Sequence, residues 1–391
     1  MSSSSTRSDI VLLSTADWDN PFWTNKQHVA RELARRGHRV LYIDSLGLRR
    51  PAASASDLKR MLRRLMRALQ PPRKVRERLW VWSPVVIPLQ RFAVVRFINK
   101  LLLSAGLLFW GKLLGIKRQL LWTYNPMTTW LFPARAFDVI AYHCVDEIKA
   151  QPGMPAAQIE RAEAELLSRA SICFVTAQEL FESRRRLNPN THYFPNVADF
   201  EHFAAAREPT TQVPDDLARL PAPRIGFIGA ISGYKLDLPL LRFLATARPH
   251  WSIVLIGEVG EGDPWTDLSH LRALSNLHLL GPRAYRELPA YLKGFDVAIL
   301  PSAINDYTRS MFPMKFFEYL AAGCPVVSTD LPALQAYRGI VRLARTPDEF
   351  VEAIGQSLAG GNPPLSERLA LAREHTYQRR TERMMALLEA R

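Results

Sequence analysis

The order of apolar and polar positions divides the chain into two runs of alternating strands and helices. In the first run DIVLLS (9–14) reads as an apolar strand and RVLYID (39–44) as the next. Between them Thr24 and Gln27 have capping-box spacing; the helix they open runs to Arg36, and Gly37 stops it. Strand-like runs return at LLWTYNP (120–126), DVIAYHCVDE (138–147) and ICFVTA (172–177), and HYFPNVADFEHF (192–203) closes this half. A segment rich in Pro, Thr and Asp, about 206–223, precedes the second run. There RIGFIG (224–229), SIVLIG (252–257), NLHLLG (276–281), DVAILP (296–301) and PVVST (325–329) are five strand candidates separated by helical stretches.

Strand–helix alternation predicts parallel sheets with helices on their faces. The expected fold class is α/β: two Rossmann-like, doubly wound domains, 1–205 and 206–365, followed by a helical tail at 366–391. Ligands of such sheets sit outside the carboxyl ends of the strands. Two such edges facing each other would form a central cleft.

The richest segment lies at 305–329, NDYTRSMFPMKFFEYLAAGCPVVST. A helix from about Met311 to Ala322, stopped by Gly323, places Phe316, Phe317 and Leu320 on one face and Lys315 and Glu318 on the other. Thr308, Arg309 and Ser310 precede it, with Ser310 as the expected N-cap. Free N–H groups and the positive end of a helix dipole attract phosphate oxygens, hydroxyls add donors, and Arg309 or Lys315 adds charge. Glu318 can accept hydrogen bonds from two ribose hydroxyls. The plainer alternative is a solvated Lys–Glu pair on an ordinary helix.

This stretch resembles the donor-binding region of GT-B glycosyltransferases, especially bacterial polysaccharide-type retaining enzymes similar to family 4. Their P-x-K-x-x-E-Y-[LM]-A-x-G-x-P-V-V pattern is matched from Pro313 to Val327. The resemblance implies a GT-B fold, a nucleoside-diphosphate sugar as donor, Glu318 on the ribose, and hexosyl transfer with retention and without a metal or other cofactor. FIGAISGYKLD (227–237) resembles the strand and loop in which Gly229 admits the donor and Lys235 meets its pyrophosphate. GPRAYRELPAYL (281–292) resembles the nucleobase loop, with Arg283 and Tyr285 beside the ring. Two departures stand out: Ser310 replaces the first glutamate of the family's paired glutamates, and Ala230 replaces an arginine. Arg309 is the candidate substitute cation. The tail resembles the helix that crosses back to the first domain.

The first half carries the acceptor side of that resemblance. His143 and Asp146 are expected just past a strand, where Asp146 could deprotonate an acceptor hydroxyl and His143 could do the same or bind the sugar. His28 and Asp19 are further acceptor-side candidates. Asp17-Trp18-Asp19 has the form of a metal-binding pair but lies in the wrong domain for that role, so no metal is expected. No G-x-G-x-x-G fingerprint opens either domain, which argues against a dinucleotide enzyme.

Composition changes this picture in two places. The 391 residues are 48% apolar, enough for two or three packed domains and far from a disordered chain. Cys144, Cys173 and Cys324 are too widely spaced for a metal cluster, and their odd number suits a reducing compartment. The polar start lacks a signal-peptide pattern, so a cytoplasmic location is expected. The net charge of +14 is concentrated: between Arg49 and Arg118 stand 17 Lys and Arg against Asp57 and Glu77. A local basic block calls for a local anionic partner.

Within that block, an insertion-like region at about 48–118, Leu58, Met61, Leu62, Leu65, Met66 and Leu69 form an apolar stripe beside Lys59, Arg60, Arg63, Arg64 and Arg67. Further on, LLLSAGLLFW (101–110) is an apolar run of ten residues, short of the roughly 20 that a bilayer crossing needs. Residues 58–69 and 96–114 are therefore expected to attach the protein to the anionic inner face of the cell membrane. The alternative is that both helices pack on the first domain with their cationic sides in water. Interleaved aromatics and nucleic-acid motifs are missing, which argues against a nucleic-acid partner. A membrane-attached enzyme implies a lipid-linked or glycan acceptor, in polysaccharide or glycolipid synthesis. Two other readings stay open: a sugar-nucleotide epimerase of the same fold, and a catalytically degenerate membrane-associated partner subunit.

Overall fold

The computed structural model describes residues 8–46, 70–84, 86–87 and 92–390. The chain divides into two compact units, 1–194 with 381–391, and 195–380.

Among the described residues the first unit holds an eight-stranded sheet. Its strands are β1 (Asp9–Leu13), β2 (Arg39–Ile43), β3 (Arg73–Arg76), β4 (Leu79–Trp82), β5 (Leu120–Thr123), β6 (Val139–Cys144), β7 (Ile172–Val175) and β8 (Thr191–Tyr193). The order is β3-β4-β2-β1-β5-β6-β7-β8. β3 runs antiparallel to β4, and the other pairings are parallel. β1 is buried along its whole length, as a central strand covered on both faces must be. Helices α1 (Asn25–Arg35), α2 (Ala93–Leu114), α3 (Ala156–Arg169) and α4 (Gln178–Arg184) accompany the sheet. α1 starts where the sequence places it: Gln27 Oε1 accepts the Thr24 N–H at 3.1 Å.

Two expectations for the basic region change. It is not simply an insertion, because RKVR and LWVW supply β3 and β4, and β4 pairs in register with β2. The apolar run at 101–110 is not an isolated short segment either. It is the middle of α2, whose 22 residues are long and apolar enough, by length and composition, to cross a membrane. Lys100 and Lys112 do not interrupt that helix, which ends only at Gly115 in the left-handed conformation (φ +65°). The amphipathic stripe at 58–69 lies outside the described residues.

The second unit holds a six-stranded parallel sheet, among the described residues, in the order β11-β10-β9-β12-β13-β14. These strands are β9 (Arg224–Ile228), β10 (Ser252–Ile256), β11 (Leu277–Leu279), β12 (Val297–Leu300), β13 (Val326–Thr329) and β14 (Arg342–Ala344). The last was not evident from the pattern. The longer helices are α5 (Leu238–Ala247), α7 (Lys315–Ala322), α8 (Pro347–Leu358), α9 (Leu365–Glu374) and α10 (Tyr377–Glu389), and the single turn α6 (Asp306–Arg309) precedes α7. The Pro/Thr/Asp-rich segment lies inside this unit, so the division comes earlier than the composition shift. Phe194 packs edge-on against Phe174 of the first unit, whereas Asn196 Nδ2 donates to the Phe312 carbonyl of the second at 2.6 Å. The tail is two helices, and the later boundary, between Arg380 and Thr381, falls within α10. The three cysteines are free and buried.

Candidate functional site

The carboxyl edge of the second sheet gathers most of the predicted donor residues. β9 ends at Ile228 and Gly229 follows. Gly229 N–H donates to the Ile256 carbonyl at 2.9 Å. A Cβ on Gly257 would lie 1.8 Å from the Gly229 carbonyl oxygen, and one on Gly229 would lie 2.7 Å from Cζ of Phe227. Gly257 is thus required by the approach of the two strand ends, before any ligand is considered, whereas Gly229 is crowded only by the tip of the Phe227 ring.

The turn after Gly229 is tied to the loop after β12. Ala303 N–H donates to the Lys235 carbonyl at 2.9 Å and Asp237 N–H to the Pro301 carbonyl at 2.9 Å. Asn305 Nδ2 donates to the Tyr234 carbonyl at 2.8 Å. Lys235 is half-buried, its ammonium 5.3 Å from the centre of the Tyr234 ring. This lacing holds Lys235 beside the loop that leads to Glu318.

That loop departs from expectation. The helix does not run from Met311 with Ser310 as its N-cap. Asn305 caps the single turn α6, its side chain accepting from the N–H groups of Tyr307 and Thr308. Ser310 closes that turn, and α7 begins only at Lys315. The break has a physical cause. Pro313 has no N–H to continue a helix. Phe312 is fully buried and stacked on Phe317, with ring centres 5.4 Å apart and planes 8° apart. Thr308 is also buried, and its hydroxyl is spent inside the loop, donating to the Ala303 carbonyl at 2.5 Å and accepting the Asn305 N–H at 3.0 Å. Arg309 is exposed and Ser310 half-buried.

α7 itself is placed by Tyr319, whose hydroxyl accepts the Ile228 N–H at 2.9 Å. Burial pushes that phenol well above its ordinary pKa. The neighbouring Glu318 is 3% exposed and accepts from Lys315 Nζ at 2.7 Å. A buried carboxylate with a cationic partner, on the helix that Tyr319 fastens to the end of β9, retains lone pairs for further donors.

Arg283 and Tyr285 follow β11, in the loop whose Gly281 carbonyl accepts the Gly257 N–H at 3.1 Å, and both have partners within the second unit. Arg283 donates to Asp216 Oδ2 at 2.6 Å and to the Tyr291 hydroxyl at 2.5 Å. The Tyr285 ring stacks on His202, with centres 4.2 Å apart and planes 10° apart.

In the first unit, His143 lies within β6, not beyond it, and is fully buried against the rings of Tyr124, Trp122 and Phe174. Asp146 is half-buried in the turn that follows. Two anchors hold that turn. Thr176 Oγ1 donates to the Val145 carbonyl at 2.7 Å, and Arg184 makes paired contacts to Glu147 at 2.6 and 2.8 Å. Arg184 also reaches Glu163 at 2.8 Å, which accepts from the Tyr142 hydroxyl at 2.7 Å. Glu147, Glu163 and Arg184 were missed because they stand far apart in sequence, and no local motif joins them. His28 is buried, edge-on to Trp23 at 5.3 Å. Asp19 is exposed and pairs with Arg73 at 2.5 Å. Asp44, at the end of β2, accepts from Trp18 N–H at 2.7 Å and from Ser83 Oγ at 2.5 Å; burial raises its pKa to about 6 despite these bonds. Among the described residues no group of three or more His, Cys, Asp or Glu could hold a metal ion.

Residues 222–359 match the family model described as Glycosyl transferases group 1. A Bacillus subtilis (strain 168) protein named as a teichuronic acid biosynthesis glycosyltransferase, TuaH, is 32% identical over 182 residues. The match covers 45% of this chain and 44% of that protein, so less than half of the relative's length is spanned. Among solved structures, sucrose-phosphate synthase of Thermosynechococcus elongatus superposes with a TM-score of 0.69 at 17% identity, covering 98% of this chain and 99% of that one. HepE of Anabaena, in complex with UDP and glucose, superposes with a TM-score of 0.64 at 14% identity, covering 98% and 100%. The chain is thus similar to group 1 glycosyl transferases over residues 222–359, and it has the GT-B fold, with two Rossmann-like units.

Proposed function

We propose that this protein is a glycosyltransferase of polysaccharide biosynthesis that transfers a sugar from a nucleoside-diphosphate sugar to an acceptor hydroxyl. The observation that carries the reading is that, inside the matched family segment, the Tyr319 hydroxyl fastens the helix carrying the buried Glu318 to the end of β9, which Gly229 follows, while the Lys235 backbone is tied to the loop after β12. Glu318 would hold the ribose hydroxyls. Lys235, with the exposed Arg309 as second cation, would stabilise the departing diphosphate, since charge placed where charge develops lowers the barrier most. Asp146, in its anchored turn, is the candidate group for orienting the acceptor hydroxyl. UDP-glucose is the first donor to test, because HepE was solved with UDP and glucose. Donor binding should raise the melting temperature. Donor incubated alone should yield no new nucleotide sugar, as an epimerase would give. Failure of every nucleoside-diphosphate sugar to bind overturns the reading.

The acceptor in this reading is lipid-linked and the protein is peripheral on the inner face of the membrane. Support comes from α2. Val94, Phe97, Ile98, Leu101, Leu108 and Phe109 are exposed along it. Its opposite face packs on the first unit through Leu103 and Leu107, and Asn99 pairs with both backbone groups of Ile87. Lys100 folds inward to the Thr129 carbonyl at 2.9 Å and Arg96 lies over the Trp130 ring, which leaves the outer face apolar as far as the exposed Lys112. A helix fixed on one side and apolar on the other suits lying in the interface better than crossing it. Co-sedimentation with anionic vesicles, lost in Phe97→Asp/Phe109→Asp, is the expected result.

A further inference from the structure

We propose that the first unit carries a subsite for one sugar ring of the acceptor, formed by Asp19, Gln70, Arg73 and Ser83. The inference rests on the glycosyltransferase reading and adds the acceptor's binding residues to it. These side chains, with Pro71 and Val81, line a cavity of about 250 Å³. That is below the roughly 300–1,000 Å³ of sites for drug-sized ligands, so the space suits a single ring. The register puts it at the carboxyl edge of the sheet. Val81 pairs with Tyr42 of β2 on one side and Arg73 of β3 on the other, and Ser83 follows the end of β4. Ligands of parallel sheets bind at that edge.

The polar groups select the ligand class. Ser83 donates its proton to the buried Asp44, which is itself held by the Trp18 N–H. The serine therefore turns acceptor lone pairs toward the cavity. Arg73 spends one N–H on Asp19 and has others to offer, and the Gln70 amide both donates and accepts. A phosphate would meet the Asp19 carboxylate and an arginine that is already neutralised. An apolar ligand would strip water from four polar side chains without replacing it. A sugar ring offers hydroxyls that donate and accept, and a C–H face to lie on Val81 and Pro71.

The test uses the full chain and ligand-observed NMR. Wild type, Ser83→Ala, Arg73→Met and Lys235→Ala are titrated with methyl glycosides of glucose, galactose and N-acetylglucosamine, with inorganic phosphate, and with UDP, GDP and ADP. At least one glycoside should bind the wild type. Its Kd should rise at least tenfold in Ser83→Ala and Arg73→Met and stay unchanged in Lys235→Ala. Nucleotide binding should show the reverse pattern, which also establishes that the Ser83 and Arg73 variants are folded. Glycoside binding indifferent to both substitutions, or phosphate bound in place of any glycoside, overturns the subsite. A nucleotide bound with no glycoside overturns the subsite alone, whereas no nucleotide bound at all overturns the functional reading beneath it.

Discussion

The Tyr319 hydroxyl accepts the Ile228 N–H at 2.9 Å and lies 3.2 Å from the Ile228 carbonyl oxygen, to which it donates. The β9–β12 register extends only to Gly226 and Ala298, so beyond it this phenol takes the place of a neighbouring strand. It also fixes the helix carrying Glu318 against the strand end carrying Gly229. Tyr319→Phe leaves a buried N–H unpaired and should cost about 1–3 kcal/mol in urea denaturation. Donor affinity, measured by calorimetry on the folded variant, should fall as well.

Glu318 and Lys315 form a pair at 2.7 Å in which only the lysine reaches solvent. Glu318→Gln removes the charge and keeps the shape. If the carboxylate receives two ribose hydroxyls, nucleoside diphosphate binding should weaken by tenfold or more, at about 1.4 kcal/mol per decade. Stability should change little, because the freed lysine can turn to water. Unchanged affinity would remove Glu318 from the site.

Gly257→Ala should be the more damaging of the two glycine substitutions at the sheet edge. Its Cβ would meet a backbone oxygen, which cannot rotate away, whereas that of Gly229 meets the tip of the Phe227 ring. A loss of about 2–4 kcal/mol is expected for Gly257→Ala, and less for Gly229→Ala, read from thermal melts of both proteins.

Asp44 gives a pH signature. Its folded pKa of about 6 lies above the ordinary 3.8, so the native protein holds a proton that the unfolded chain has released between those values. The stability this contributes is present below pH 4 and is lost as pH rises through 6, by at most about 3 kcal/mol. Asp44→Asn keeps an acceptor for the Trp18 N–H and cannot ionise. It should melt several degrees above wild type at pH 8 and level with it at pH 4.

Arg184 stands between two buried carboxylates, and Arg184→Met would leave both uncompensated. A loss of about 3–5 kcal/mol is expected. Adding Glu147→Gln and Glu163→Gln should restore much of it, since the amide oxygen that replaces the Glu163 carboxylate would still accept from the Tyr142 hydroxyl. Hydrogen exchange in the turn carrying Asp146 should rise in the single variant and fall back in the triple.

What the amino-acid order determined by itself was everything with a short repeat. Short continuous apolar runs marked the central strands, glycine marked the ends of several, and a period near 3.6 marked α7 with Glu318 on it. The motif from Pro313 to Val327 was legible for the same reason, being local. Tertiary structure decided which of those side chains remain available. The Thr308 hydroxyl is consumed by its own loop, Arg283 by Asp216, and the His143 ring by a buried aromatic packing. It also decided that two short runs in a basic region are strands, because β4 is stabilised by pairing with β2, some forty residues earlier. Asp44 with Ser83, and Arg184 with Glu147, are pairs separated by 39 and 37 residues. Burial and hydrogen bonding act through space over a few ångströms, while a sequence pattern reports only neighbours along the chain, so such pairs come into being only when the sheet brings their loops to one edge.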